Sequence, residues 1–207
     1  MSPTLPSILQ DFLKIMQIPD YSEEMTAKFT TSALIFGIIS AVLLILAAIL
    51  AKKKLVIGIF AGLFSFFTCY MTPKFIESFH TIELFKQITG PSQAELDAMV
   101  SEYYQTMLPK SITMIVFSIL LILAFVFTLI LAGGIMSRIS KTFGVLAIVF
   151  SIVRFALISP LPMYSSILSG ATIEAQASQL TVFFVSTLIP AVFLAIGAMI
   201  KKHPAEE

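Results

Sequence analysis

Residues 31–51 run for twenty-one positions without one charged side chain. A helix needs about 20 apolar residues to cross roughly 30 Å of bilayer hydrocarbon, so this stretch is long enough to span. Four more runs have the same character: 55–71, 112–132, 142–159 (interrupted only by Arg154) and 180–200. The chain as a whole is 57% hydrophobic and 12% charged, against about 25% charged in soluble domains. Backbone in hydrocarbon must satisfy its own hydrogen bonds, and runs of this length do so as helices. The predicted fold is all-α: a polytopic transmembrane helical bundle of five spans, with short amphipathic helices on the outer side.

The interruptions divide the chain. Residues 1–30 form an outer amphipathic N-terminal segment. Residues 31–71 form a first transmembrane hairpin turned by Lys52, Lys53 and Lys54, with the second span expected to end before Pro73. An outer helical loop follows at 72–111. A second hairpin at 112–159 is joined through Gly133, Gly134, Arg138 and Lys141. Residues 160–179 are an outer loop, and 180–207 are the fifth span with a cytoplasmic tail that opens on Lys201 and Lys202. Residues 1–30 show no charged start, apolar core and cleavage site in succession, so insertion is expected to rely on the spans themselves.

Charge placement orients the bundle. The connectors 52–54 and 133–141 and the tail 201–207 hold three, two and two basic residues in 19 positions; segments 1–30, 72–111 and 160–179 hold five in 90. Positive residues are retained on the cytoplasmic side, so the N-terminus is expected outside and the C-terminus inside, in a plasma membrane or bacterial inner membrane.

The outer segments carry helical periodicity. Leu5, Ile8, Leu9, Phe12, Leu13 and Met16 fall on one helical face, as in an interfacial or packing helix. Ser92 with Glu95 three residues on has the capping-box pattern and precedes a face of Leu96, Met99, Val100, Tyr103 and Met107. Residues 74–88 are read as a third such helix. Ser22 and Glu23 before the first hairpin, echoed by Ser101 and Glu102 before the second, hint at a repeat, a pattern that apolar chains also produce by chance.

An ionisable residue within a span is a functional-site hypothesis by default, and Arg154 is that residue here. No Asp or Glu lies in any span, so its partner is expected among an outer-loop acid such as Glu174, an anionic ligand, a lipid phosphate or another subunit. The structural alternative is a side chain that snorkels outward, since Arg154 stands six residues before Pro160, about 9 Å of rise. Pro190, mid-span beside Ser186 and Thr187, removes a backbone donor and is the hinge candidate, against a static kink. Gly37 with Ala41, Gly58 with Gly62, and Ala191 with Ala195 have the small-xxx-small spacing of close helix packing. They serve contacts within the chain or with a partner, and the spacing does not say which neighbour each meets.

Several chemistries find no support. Cys69 is the only cysteine, which rules out an intrachain disulfide and thiol metal motifs; it is read as a small core residue. Glu77, His80 and Glu83 share part of one outer helix but fall short of a typical zinc set. Paired aspartates, phosphate loops and HExxH are missing. No catalytic residue, metal or cofactor is expected, and a net charge of +1 gives no field for nucleic acid. The expected partners are the lipid bilayer and either another membrane subunit or further copies of the chain. The function expected first is a non-catalytic accessory or scaffold subunit. The second reading is a small permease, channel or substrate-binding transport subunit for a polar or anionic solute.

Overall fold

In a computed structural model of the chain, residues 23–86, 105, 108–158 and 173–202 are described, and these carry five long helices: α1 (Glu23–Leu50), α2 (Leu55–Lys86), α3 (Leu108–Ile135), α4 (Lys141–Val153) and α5 (Ile173–Lys202). A short 3-10 turn, Met136–Arg138, follows α3, and α4 continues into a π-helical turn at Arg154–Ile158. No strand occurs among the described residues. Phe29–Leu50, Leu55–Phe75, Leu108–Arg138, Lys141–Ile158 and Ser178–Ile200 are each long and apolar enough to cross a membrane. The protein is an all-α integral membrane protein with five candidate spans. The predicted amphipathic stretches from Leu5 to Met16 and from Ser92 to Met107, the loop 160–172, and Ser22, Ser101 and Glu102 of the suggested repeat lie outside the described residues, apart from Gln105.

One boundary differs from the sequence expectation. The helix does not stop before Pro73 to begin again at 74; α2 is continuous through it as far as Lys86. Membrane helices tolerate proline where nearby groups re-satisfy the backbone. Thr68 and Thr72, just before it, donate their hydroxyls to the carbonyls of Phe64 and Thr68, both at 2.7 Å; neither is the carbonyl that the proline frees, that of Cys69.

Two compact units divide the chain, one made of residues 1–29 and 73–116, the other of 30–72 and 117–207. In the described part of the first, Phe75 and Ser78 are buried and the Ser78 hydroxyl donates to the Lys74 carbonyl at 2.7 Å. The second unit holds the main core. Of the thirteen buried residues of that core, eight are alanine, which permits the backbone approach that membrane helices need, because lipid is as apolar as leucine and packing itself must supply the attraction. Within this unit α5 is central: 56% of its span is buried, against 17% for Lys141–Ile158. Aromatic contacts order the other helices around it. Phe60 and Phe64 of α2 meet Phe127 of α3, Phe125 of α3 stacks on Phe155 at 4.4 Å, Phe193 of α5 meets Phe143 and Phe150 of α4, and Phe184 of α5 stacks on Phe36 of α1.

The basic connectors meet at one end of this unit. A side chain on Gly134 would touch the Lys54 stem at 3.1 Å, and the Ser140 N–H donates to the Gly197 carbonyl near the end of α5 at 3.0 Å. The first connector is a tight helix stop. Lys52 N–H bonds to Ile49 O and Lys53 N–H to Ala48 O, the paired bonds of a Schellman motif, which places a left-handed residue, usually glycine, just past the helix. That residue here is Lys52, at φ 50°, with Lys54 also left-handed at φ 62°. A side chain in that region costs about 1–2 kcal/mol, so the lysine is retained at some cost to folding, consistent with a role in topology. Lys52→Gly is expected to stabilise the protein by about 1 kcal/mol, read as a raised midpoint in detergent thermal unfolding; an unchanged or lowered midpoint would refute the strain at this turn.

Candidate functional site

Arg154 stands where α4 widens into its π turn, and its own N–H is shared between the carbonyls of Phe150 and Ser151. Such turns are found frequently at functional sites. The guanidinium does not run outward. It lies over the Phe183 ring, 4.7 Å from the centroid, and its Nη2 donates to Thr187 Oγ1 at 3.1 Å. Thr187 is the tenth residue of the span Ser178–Ile200, roughly 13 Å of rise from its start and so close to mid-membrane. Snorkelling, the structural alternative read from sequence, would have carried the charge the other way.

Five spans converge on that point. Thr187 Oγ1 donates to Phe183 O at 2.9 Å and receives the Cys69 thiol at 3.7 Å as well as Arg154. Ser40 of α1 and Ser65 of α2 share a hydrogen bond at 2.9 Å, and Ser40 Oγ reaches the Thr187 carbonyl at 3.4 Å. Thr128 of α3 and Ser151 of α4 donate back to Ala124 O and Ala147 O, each at 2.7 Å. These hydroxyls and Arg154 line a small cavity, with Phe125 and Pro190 on its wall, in which the centre of a water molecule has about 10 Å³ to occupy. That is room for about one water.

The electrostatics of this cavity are one-sided. A guanidinium has five N–H donors, and only Nη2 has a hydrogen bond among the described residues; Nε is buried with no partner there. A charged hydrogen bond contributes about 1.5–3 kcal/mol and a desolvated cation over an aromatic face about 2 kcal/mol. These oppose a penalty of several kcal/mol for taking the ion out of water, and neither supplies a counter-charge. No acid lies in any of the five apolar runs.

The other residues singled out by sequence fall as follows. Glu174 lies in the first turn of α5, thirteen residues before Thr187, about 20 Å of rise; its side chain lies outside the described residues. Pro190 is buried inside α5, which continues through it, and lines the cavity. A Cβ on Gly58 would stand 2.5 Å from Ala48 Cβ, one on Gly62 3.0 Å from Ala41 O, and one on Gly37 3.2 Å from Cys69 Cβ, so these residues form the α1–α2 crossing. Ala191 and Ala195 are buried on α5, Ala191 within the main core. The side chains of Glu77, His80 and Glu83 lie outside the described residues.

Sequence reasoning missed Ser40, Ser65, Thr128, Ser151 and the Phe183 platform. The signal was present as a hydroxyl residue near the middle of every span, but each such residue can equally spend its proton on its own helix. Comparison with protein-family models, with curated proteins and with solved structures found no match.

Proposed function

We propose that this integral membrane protein is a non-catalytic permease, channel or substrate-binding transport component that takes an anionic solute at Arg154. The observation that carries this reading is the guanidinium beside a cavity lined by hydroxyls from all five candidate spans, with an Nε that has no partner among the described residues. A half-buried cation within a span, without a counter-charge, calls for one, and an anion between the helices supplies it. In the orientation read from the basic connectors, the N-terminus is outside and the C-terminus cytoplasmic. Pro190, on the cavity wall at the centre of α5, is then the place where that helix would flex to admit the solute.

The accessory or scaffold role rested on the small-residue faces and the outer amphipathic helices. Gly37, Gly58 and Gly62 meet neighbours within the chain, so they offer little to a second subunit, and the amphipathic stretches from Leu5 to Met16 and from Ser92 to Met107 lie outside the described residues, apart from Gln105.

The test uses the full chain purified in mild detergent, with particle composition determined first and thermal unfolding then measured across a panel of anionic solutes. A ligand at a hundred times its dissociation constant stabilises by about 2.7 kcal/mol. At roughly 2–4 °C per kcal/mol for a chain of this size, the wild type should gain roughly 5–10 °C. Arg154→Lys keeps the charge but loses the planar group that lies over Phe183 and bonds Thr187, so its donors are no longer held at the cavity and it should lose most of that gain. A stoichiometric companion protein, with no response to any anion, would instead establish the accessory role.

A further inference from the structure

Resting on the anion-binding reading just given, we infer that the ligand of Arg154 is a single monatomic, monovalent anion of the halide class, dehydrated and coordinated by hydroxyls from several spans. Three observations select this class. The first is room: the cavity admits about one water, so a halide enters with small adjustments, whereas sulfate, a carboxylic acid anion or a lipid phosphate requires the helices to separate. The second is charge. Arg154 is the one basic residue in the five apolar runs, and one negative charge neutralises it, while a divalent anion would leave an uncompensated charge in hydrocarbon.

The third is the donor set. Polyatomic oxyanions are best held by a free guanidinium fork or by several cations. Here one proton of Nη2 is engaged by Thr187 and one face of the group is covered by Phe183, so the fork is not wholly free, and Nε is a buried donor with no partner among the described residues. Around it are hydroxyls, which are rotors. Thr128 and Ser151 now donate to carbonyls at i−4, and in a helix those carbonyls also accept a backbone N–H. Turning the hydroxyl protons into the cavity therefore leaves no carbonyl bare. Ser65, whose partner Ser40 can itself donate to Thr187 O, is a further donor. A spherical ion accepts from such donors in any direction; a planar or tetrahedral ion does not.

The experiment is thermal unfolding of the purified full chain at constant ionic strength, replacing gluconate in turn by chloride, bromide, sulfate and phosphate, and separately adding vesicles of anionic phospholipid. Chloride and bromide are expected to raise the midpoint saturably, by roughly 5 °C or more at saturation. Ser65→Ala is expected to weaken the halide response about tenfold in apparent affinity, the effect of one hydrogen bond to a charged group. Arg154→Met should fold and show no halide response, which separates binding from a general salt effect. Stabilisation by sulfate, phosphate or the anionic vesicles with none by halide overturns the halide assignment and leaves the anion site standing. A response kept in Arg154→Met, or no response to any anion, overturns both.

Discussion

Replacing Arg154 with methionine is expected to make the protein more stable when no anion is bound. Methionine has similar reach, no charge, and a polarizable sulfur suited to the Phe183 ring over which the guanidinium now lies. What the substitution removes is an ion taken out of water at a cost of several kcal/mol that includes the lost hydration of an unpartnered buried Nε, and, on the other side, the single charged hydrogen bond to Thr187 and the cation–π contact with Phe183. Thr187 Oγ1 keeps its own bond to Phe183 O, so no new orphan is created. The balance favours methionine by about 1–3 kcal/mol, as when buried ionic groups elsewhere are replaced by well-packed apolar ones. Thermal unfolding in gluconate should therefore show a midpoint raised by roughly 3–10 °C. A gain of that kind would fit a residue kept for function at a cost to folding. A marked fall in the midpoint would show instead that the guanidinium is an anchor of the bundle, and the case for a ligand would lose its main support.

Much of the fold was legible because a bilayer imposes so strong a rule. Uncharged runs of helix-spanning length mark spans, and the lysines at 52–54 and the glycine and basic residues at 133–141 mark their turns, whatever the details of packing. What hydropathy does not carry is direction around the helix axis. Gly58 and Gly62 advertise a close contact, but only the structure shows that Ala48 and Ala41 receive it. The continuation of α2 through Pro73 was illegible for a related reason: proline stops a helix in water, but in a membrane helix that outcome depends on whether nearby groups can satisfy the backbone.

The site was half legible. An arginine in an apolar run signals itself, because its insertion is expensive wherever it points. Its destination depends on a rotamer and on the π turn at Arg154–Ile158, and neither leaves a mark in residue type. The hydroxyls are harder still. Ser40, Ser65, Thr128, Ser151 and Thr187 look individually like the tolerated polar residues of any membrane helix, and they become a site only when five helices bring them to one depth.

The α1–α2 crossing yields the second large effect, and it can be tested by exchange of a single methyl group. At Gly58 an added Cβ would lie 2.5 Å from Ala48 Cβ, where non-bonded carbons prefer about 3.5–4.0 Å. Both atoms are fixed to helical backbone, so no rotamer relieves the overlap and the helices must separate. Gly58→Ala is therefore expected to cost about 1–3 kcal/mol and to lower the unfolding midpoint accordingly. Its other near contacts, Leu44 O at 3.4 Å and Ile45 Cα at 3.8 Å, are ordinary van der Waals distances. Only Ala48 stands in the way. Ala48→Gly should thus rescue Gly58→Ala, moving the methyl from one helix to the other and restoring the midpoint to within about 1 kcal/mol, the propensity cost of a mid-helix glycine. The interaction energy of the double-mutant cycle should be favourable and comparable to the single cost. Because Ala41 lines this crossing against Gly62 and Ser40 and Ser65 sit beside it, the crossing also sets the distance between two of the cavity hydroxyls. Gly58→Ala should therefore weaken the halide response as well as stability, and the Ala48→Gly rescue should recover both together; recovery of stability alone would separate the hairpin from the site.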